Sequence, residues 1–183
     1  MRLGLQLRRV YPGQYGNHFD TMLAVAQAAE EAGLDSLWMP DHTMFPDAAH
    51  PEKEVPVMEC FVVLSAIAAR TSRIRMSNDI ALLPFYHPVR LAEELAVLDH
   101  ISNGRMEFGI GMGYVPDEFR AFGVPLRNRV SMTEEAIEIM RLAWAEGPFS
   151  YAGKRYRLDN VEVHPKPVQP GGPPLWIAAM SEA

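Results

Sequence analysis

Three short stretches bring together residue types that can do chemistry. Gly109-Ile110-Gly111-Met112-Gly113-Tyr114 closes the apolar run Met106-Glu107-Phe108 and precedes the acidic, helix-like Pro116-Asp117-Glu118-Phe119. Glycine has no Cβ, so a strand ending in glycines exposes backbone N–H groups where a ligand can approach closely. Asp41-His42 follows a second apolar run, and an imidazole that titrates near neutral pH is suited to hydrogen-bond a reacting group or move a substrate proton. An equal alternative is that Asp41 caps a turn after Pro40 and His42 satisfies a backbone carbonyl. Asn78-Asp79 interrupts a third apolar run, where such a pair can mark a bulge.

Other groups read as structural. Tyr114 stands where a Gly-x-Gly-x-x-Gly dinucleotide fingerprint needs its third glycine, which argues against a Rossmann domain. Asp117 and Glu118 follow Pro116 and so favour a helix start by complementing its dipole. His50, His100 and His164 show no ligand spacing with one another or with Cys60, so no metal site is expected. Cys60, the single cysteine, sits in an apolar helical stretch where burial as a small hydrophobe explains it.

The elements that position these residues repeat as strand then helix. Leu3 to Leu7 reads as a strand, and Phe19, Met22, Leu23, Ala26 and Ala29 recur at helical spacing up to Gly33. Ser36 to Met39 is a second strand, and a helix is expected from about Val57 to Arg70 after a long polar loop, a candidate lid, from Asp41 to Pro56. Ile74 to Leu83 is read as a third strand. Pro88 then opens a helix whose buried face is Leu91, Leu95, Leu98 and Ile101, stopped by Asn103-Gly104. Met106 to Ile110 is the fourth strand. The next helix begins near Ser131 with a capping box formed with Glu134, and its apolar face is Ala136, Ile137, Met140 and Trp144. Phe149-Ser150-Tyr151 and Arg155 to Leu158 alternate as a small hairpin around Ala152-Gly153-Lys154, an insertion near 149–163. Leu175 to Ala179 is the fifth strand.

The chain of 183 residues, with 48% hydrophobic and 22% charged content, is large enough for one well-buried domain. A net charge of -6 without a long basic run excludes a nucleic-acid partner. No signal-like start and no apolar run long enough to span a bilayer is seen, which leads to the expectation of a cytoplasmic protein without a membrane partner. Apolar strands alternating with helices imply a parallel sheet covered by helices, either an open doubly wound sheet or a (β/α)8 barrel. A barrel usually needs roughly 250 residues, so about three strands would be missing and both outer strands would be left unpaired.

Five segments, in order, resemble the luciferase-like monooxygenases: Leu37-Trp38-Met39-Pro40-Asp41-His42, Leu82 to Val89, Asn103 to Gly111, Gly113 to Phe119, and Pro165 to Gln169 followed by Pro173 to Ile177. The resemblance covers essentially the whole chain. It implies a (β/α)8 TIM barrel of the luciferase-like type, present here only as roughly strands 1–5. It also implies a flavin-dependent monooxygenase that uses reduced FMN and O2 to oxygenate a small organic substrate, water being kept from the site.

Carried onto these positions, the resemblance makes His42 the catalytic residue. It places Asp41, Asn78, Asp79, Gly111, Gly113, Tyr114, Ala179 and Ser181 at the cofactor. Asn78-Asp79 corresponds to a place where the family often has a non-prolyl cis peptide under the flavin ring. Tyr114 replaces a glutamate acid of the related sugar-phosphate dehydrogenases, a departure that argues against their reaction. The alternatives are a dehydrogenase or reductase using the deazaflavin coenzyme F-420, and an inactive fragment or subunit. Family resemblance favours a homodimer for the complete form.

Overall fold

A computed structural model describes residues 1–7, 18–42 and 58–178. Its strands and helices alternate as β1 (Gly4–Gln6), α1 (His18–Glu31), β2 (Ser36–Met39), α2 (Cys60–Ala68), β3 (Arg75–Asn78), β4 (Ala81–Leu82), α3 (Pro88–Ser102) and β5 (Met106–Gly111). There follow α4 (Pro116–Ala121), α5 (Arg129–Trp144), β6 (Phe149–Ala152), β7 (Arg157–Val161) and β8 (Leu175–Ile177). All pairings in the main sheet are parallel: β1 with β2, β2 with β3, and β5 with β3, β4 and β8.

β3 and β4 are successive stretches of one barrel-type strand. Met76 lies opposite Met106, and Ala81 opposite Ile110, farther along β5. The expected continuous strand from Ile74 to Leu83 is therefore broken, at a cis peptide between Asp79 and Ile80, one bond beyond Asn78-Asp79. A 3₁₀ turn, Leu83–Phe85, ends it. Counting this pair once, five strands lie in chain order across an open sheet, and the described residues form no closed barrel.

The alternation along these strands separates two faces. Leu37, Met39, Met76, Met106, Phe108 and Ile110 are fully buried in the core. Fully burying a side chain of this size is worth roughly 1.5–3 kcal/mol. The intervening residues form a polar, partly open face: Trp38 Nε1 donates to Ser36 Oγ at 2.8 Å, Arg75 pairs with Glu107, and Trp176 Nε1 donates to Glu107 Oε2 at 2.9 Å.

Across from the strands the core is filled by Met22 and Ala26 of α1, Leu64 and Ile67 of α2, Leu91, Leu95 and Leu98 of α3, and Ala136, Met140 and Trp144 of α5. Ile101 departs from its expected place on the α3 face and is 43% exposed. Asn103 takes a left-handed conformation, φ 54°, and stops α3 as its position suggested.

Two helix starts differ from expectation. α5 begins at Arg129, because the 3₁₀ turn Leu126–Asn128 runs straight into it with Asn128 already helical, and the capping box does not form. Ser131 Oγ instead donates to Asn128 O at 3.2 Å and accepts from Arg155 Nε at 2.8 Å. α2 starts at Cys60, where Glu59 accepts from Val62 N at 2.6 Å; Val57 lies outside the described residues. In the β6–β7 hairpin the second strand starts at Arg157 rather than Arg155, because the N–H groups of Lys154, Arg155 and Tyr156 all donate to Glu135 on α5.

Candidate active site

The carboxyl ends of β2 and β4 meet the start of α2 at Asp41. Its carboxylate accepts from Tyr86 Oη at 2.8 and 2.9 Å and from Leu82 N at 3.2 Å, and the Cys60 thiol donates to it as well. Burial raises the Asp41 carboxyl above its ordinary range, and these three donors pull it only part of the way back. Burial likewise raises the Tyr86 phenol and the Cys60 thiol, each further raised by the neighbouring Asp41 charge. Asp41 thus clasps the end of β2 to β4 and α2 instead of capping a turn. Cys60 is buried, as expected, but as a hydrogen-bond donor and not only as a small hydrophobe.

His42, the next residue, turns the other way. Its Nδ1 lies 3.2 and 3.3 Å from the two carboxylate oxygens of Glu118 on α4. Glu118 stands in the first turn of α4, as expected, but is 1% exposed and so is more than a surface helix-start charge. Asp117 fills that role, pairing with Arg120 at the surface. The sequence did hold a signal: Val115, Glu118, Phe119 and Phe122 fall at helical spacing, which puts Glu118 on the inward stripe of α4. Tyr114, 66% exposed, sets its ring edge-on to His42 with centroids 6.5 Å apart.

The glycines of β5 serve the chain itself. A Cβ at Gly109 would collide with the carbonyl of Asn78, and one at Gly111 with the side chain of Ile80. Bare backbone at both positions thus lets the β3–β4 break lie directly against β5. Asn78 completes that contact: its amide donates to Gly109 O at 2.6 Å and accepts from Gly109 N at 3.1 Å. Asp79 accepts from the Gln6 amide. Gly113 has φ 71° and packs under Phe119. Ala179 and Ser181 lie outside the described residues, as do His50 and most of the candidate lid.

Beside His42 lies a cavity of about 320 Å³, lined by Asp41, His42, Glu59, Phe85, Tyr86 and Phe122. Phe85 and Phe122 stack at 4.5 Å with planes 8° apart, and Phe119 meets Phe85 edge-on at 4.8 Å. The ligand atoms of Asp41, Glu59 and Cys60 lie within 4.8 Å of one another, a grouping that spacing in the sequence did not bring out. Within this group the Cys60 thiol donates to Asp41.

A family model described as luciferase-like monooxygenase matches residues 4–183. The chain belongs to the luciferase-like monooxygenases. Monooxygenase RslO1 from Streptomyces bottropensis is 32% identical, with a TM-score of 0.85 over 98% of this chain and 54% of its own. The FMN-bound oxygenating constituent of 3,6-diketocamphane monooxygenase from Pseudomonas putida is 25% identical, with a TM-score of 0.80 over 97% of this chain and 51% of its own. An F-420-dependent secondary alcohol dehydrogenase, bound to an F-420–acetone adduct, is 25% identical, with a TM-score of 0.79 over 96% of this chain and 51% of its own.

These likenesses establish the luciferase-like barrel architecture, of which the five strands are one portion. The chain spans 42–62% of the length of the curated relatives it matches. Among the described residues of this luciferase-like chain, no helix is long and apolar enough to cross a membrane.

Proposed function

We propose that this chain carries the reactive part of a flavin-dependent monooxygenase site that uses reduced FMN and O2 to oxygenate a small organic substrate, with His42 as its catalytic residue. In this reading residues 1–183 act as one luciferase-like domain, with the hairpin near 149–163 as an insertion. The carrying observation is the pairing of His42 with the buried Glu118 beside an aromatic-walled cavity.

The open face fits a flat ring system. Trp38, Ile80 and Trp176 offer apolar surface, and Gln6 with Asp79 offers a hydrogen-bonding edge. These residues, with Gly113 and Tyr114, would hold the ring; Asn78, already committed to Gly109, would support it from below. Bound there, reduced FMN supplies the electrons with which O2 is split between substrate and water.

His42 then has a defined task. With Nδ1–H donating to Glu118, Nε2 is the nitrogen that takes or returns a substrate proton, and the carboxylate faces the positive charge that forms on the ring. Glu118 fixes the tautomer and orientation while Phe85, Phe119 and Phe122 keep water from that side.

The resemblance to the F-420-dependent alcohol dehydrogenase supports a second reading, hydride transfer with the deazaflavin coenzyme and no oxygen. Fluorescence titration of the chain with FMN and with F-420 tests both. Tighter binding of FMN, with oxygen uptake on adding reductant and its loss in His42→Ala, is the expected result. Tighter binding of F-420 without oxygen uptake would establish the second reading. Binding of neither would leave the chain a fragment or subunit that needs the rest of the barrel.

A further inference from the structure

The cavity beside His42 is chemically one-sided. Its aromatic wall is the stacked Phe85–Phe122 pair with the Tyr86 ring, and Phe122 remains 44% exposed and open to a ligand. Among the described residues, its charged lining consists of the Asp41 and Glu59 carboxylates, with no Lys or Arg beside them. Glu118 stands behind His42, and the Glu59 charge reaches as far as Glu94 on α3. Arg90, on the same helix, pairs with Glu93 and Glu94.

Ring faces carry negative potential and attract cations, and carboxylates in a half-buried setting strengthen the preference. Among the described lining residues, an anionic substrate would meet two carboxylates, with the His42 imidazole as the single basic side chain. A volume of about 320 Å³ sits at the small end of the roughly 300–1,000 Å³ typical of small-molecule pockets, enough for a single substituted ring and not for a nucleotide.

We propose that this cavity takes a planar aromatic substrate bearing a positively charged nitrogen, the nitrogen toward Glu59 and the ring against Phe85 and Phe122. The inference rests on the reading of His42 as the reacting end of the site, but its test needs no flavin. The 183-residue chain is titrated with benzylamine, benzyl alcohol and benzoate at neutral pH, following the His42 ring protons by NMR. Protonated benzylamine is expected to bind at least about ten-fold more tightly than its neutral and anionic counterparts.

In Glu59→Gln, which keeps an acceptor for Val62 N, the amine should fall to the affinity of the alcohol. Phe122→Leu should weaken all three ligands. Equal binding of benzoate or benzyl alcohol, an unchanged preference in a folded Glu59→Gln variant, or no binding by any of the three would overturn the proposal. If the amine preference holds while neither flavin binds, this proposal stands and the chain alone lacks the redox activity, as a fragment needing the rest of the barrel would. Flavin binding and oxygen uptake with no amine preference would mean the converse.

Discussion

At the amino ends of the strands, Arg105 and Glu30 answer mainly to backbone. The Arg105 guanidinium makes five hydrogen bonds, to Ser102 O, Thr71 Oγ1, Ile74 O, Ala68 O and Thr71 O, tying the end of α2 and the entry to β3 onto β5. Glu30 Oε1 accepts from the N–H groups of Ser72, Arg73 and Ile74. Gln169 joins Asp99 of α3 to Met106 O. At the carboxyl ends, Asp41 meets Tyr86 and Cys60 side chains, and His42 meets Glu118. A charge saturated by carbonyls and N–H groups fixes the chain, whereas a titratable group facing another one across a cavity is placed to react. The division follows the barrel rule that conservation of form belongs to one face and chemistry to the other.

The largest test of this contrast is Arg105→Ala. Losing the whole fork should lower unfolding free energy by about 3 kcal/mol, and Arg105→Lys should recover only a minor part because an ammonium cannot reproduce the planar geometry. Urea unfolding measures both. A loss below about 1 kcal/mol would show that the backbone-tied charges are not what holds that end.

Glu30→Gln should cost less, about 1 kcal/mol, and should change the acid limb of stability. Burial opposes the Glu30 charge, but the N–H groups of Ile74, Arg73 and Ser72 and the Arg73 charge outweigh it and hold the carboxyl below its usual value. Its contribution is therefore present above the ordinary carboxylate range and is lost as pH falls through the lowered folded value. Unfolding curves collected from neutral to strongly acidic pH should show that loss in the parent chain and a flatter profile in the variant.

Asp41 should behave with the opposite sign. Its folded carboxyl is raised, so its favourable contribution is present below the ordinary Asp value and disappears as pH climbs through the raised one. Asp41→Asn should stay within about 1 kcal/mol of the parent and gain on it across that window, the reverse of Glu30→Gln. An identical pH profile in both variants would erase the distinction between the two ends.

The smallest stability effect belongs to His42→Ala, within about 0.5 kcal/mol by thermal unfolding, although turnover of the flavin-loaded enzyme should fall on the order of 10²-fold or more. A large drop in melting temperature with unchanged turnover would reassign His42 to structure.

Local chemistry made one part of this molecule readable in advance. Pro88 and Asn103-Gly104 bracket α3 because a fixed φ and a left-handed stop act on neighbouring residues. The strands were readable because buried apolar side chains leave a dense pattern. What escaped depended on partners far along the chain. His42 and Glu118 are 76 residues apart, Glu135 organises a hairpin about 20 residues later, and the β3–β4 break is accommodated by glycines on a different strand. Glu118 was missed for a sharper reason: a carboxylate after Pro116 has a sufficient local explanation, which masked the helical spacing it shares with Val115, Phe119 and Phe122.

The three tryptophans divide between the two sides of the sheet. Trp144 is enclosed in the helix layer with its indole N–H on Ala92 O, whereas Trp38 and the half-exposed Trp176 meet edge to face on the open face. The molecule therefore carries its own optical gauge. Emission that acrylamide cannot quench reports the helix layer, and the quenchable fraction reports the concave surface. Any ring, strand or second chain that settles on that surface should turn the red-shifted, accessible component blue while leaving the Trp144 signal in place.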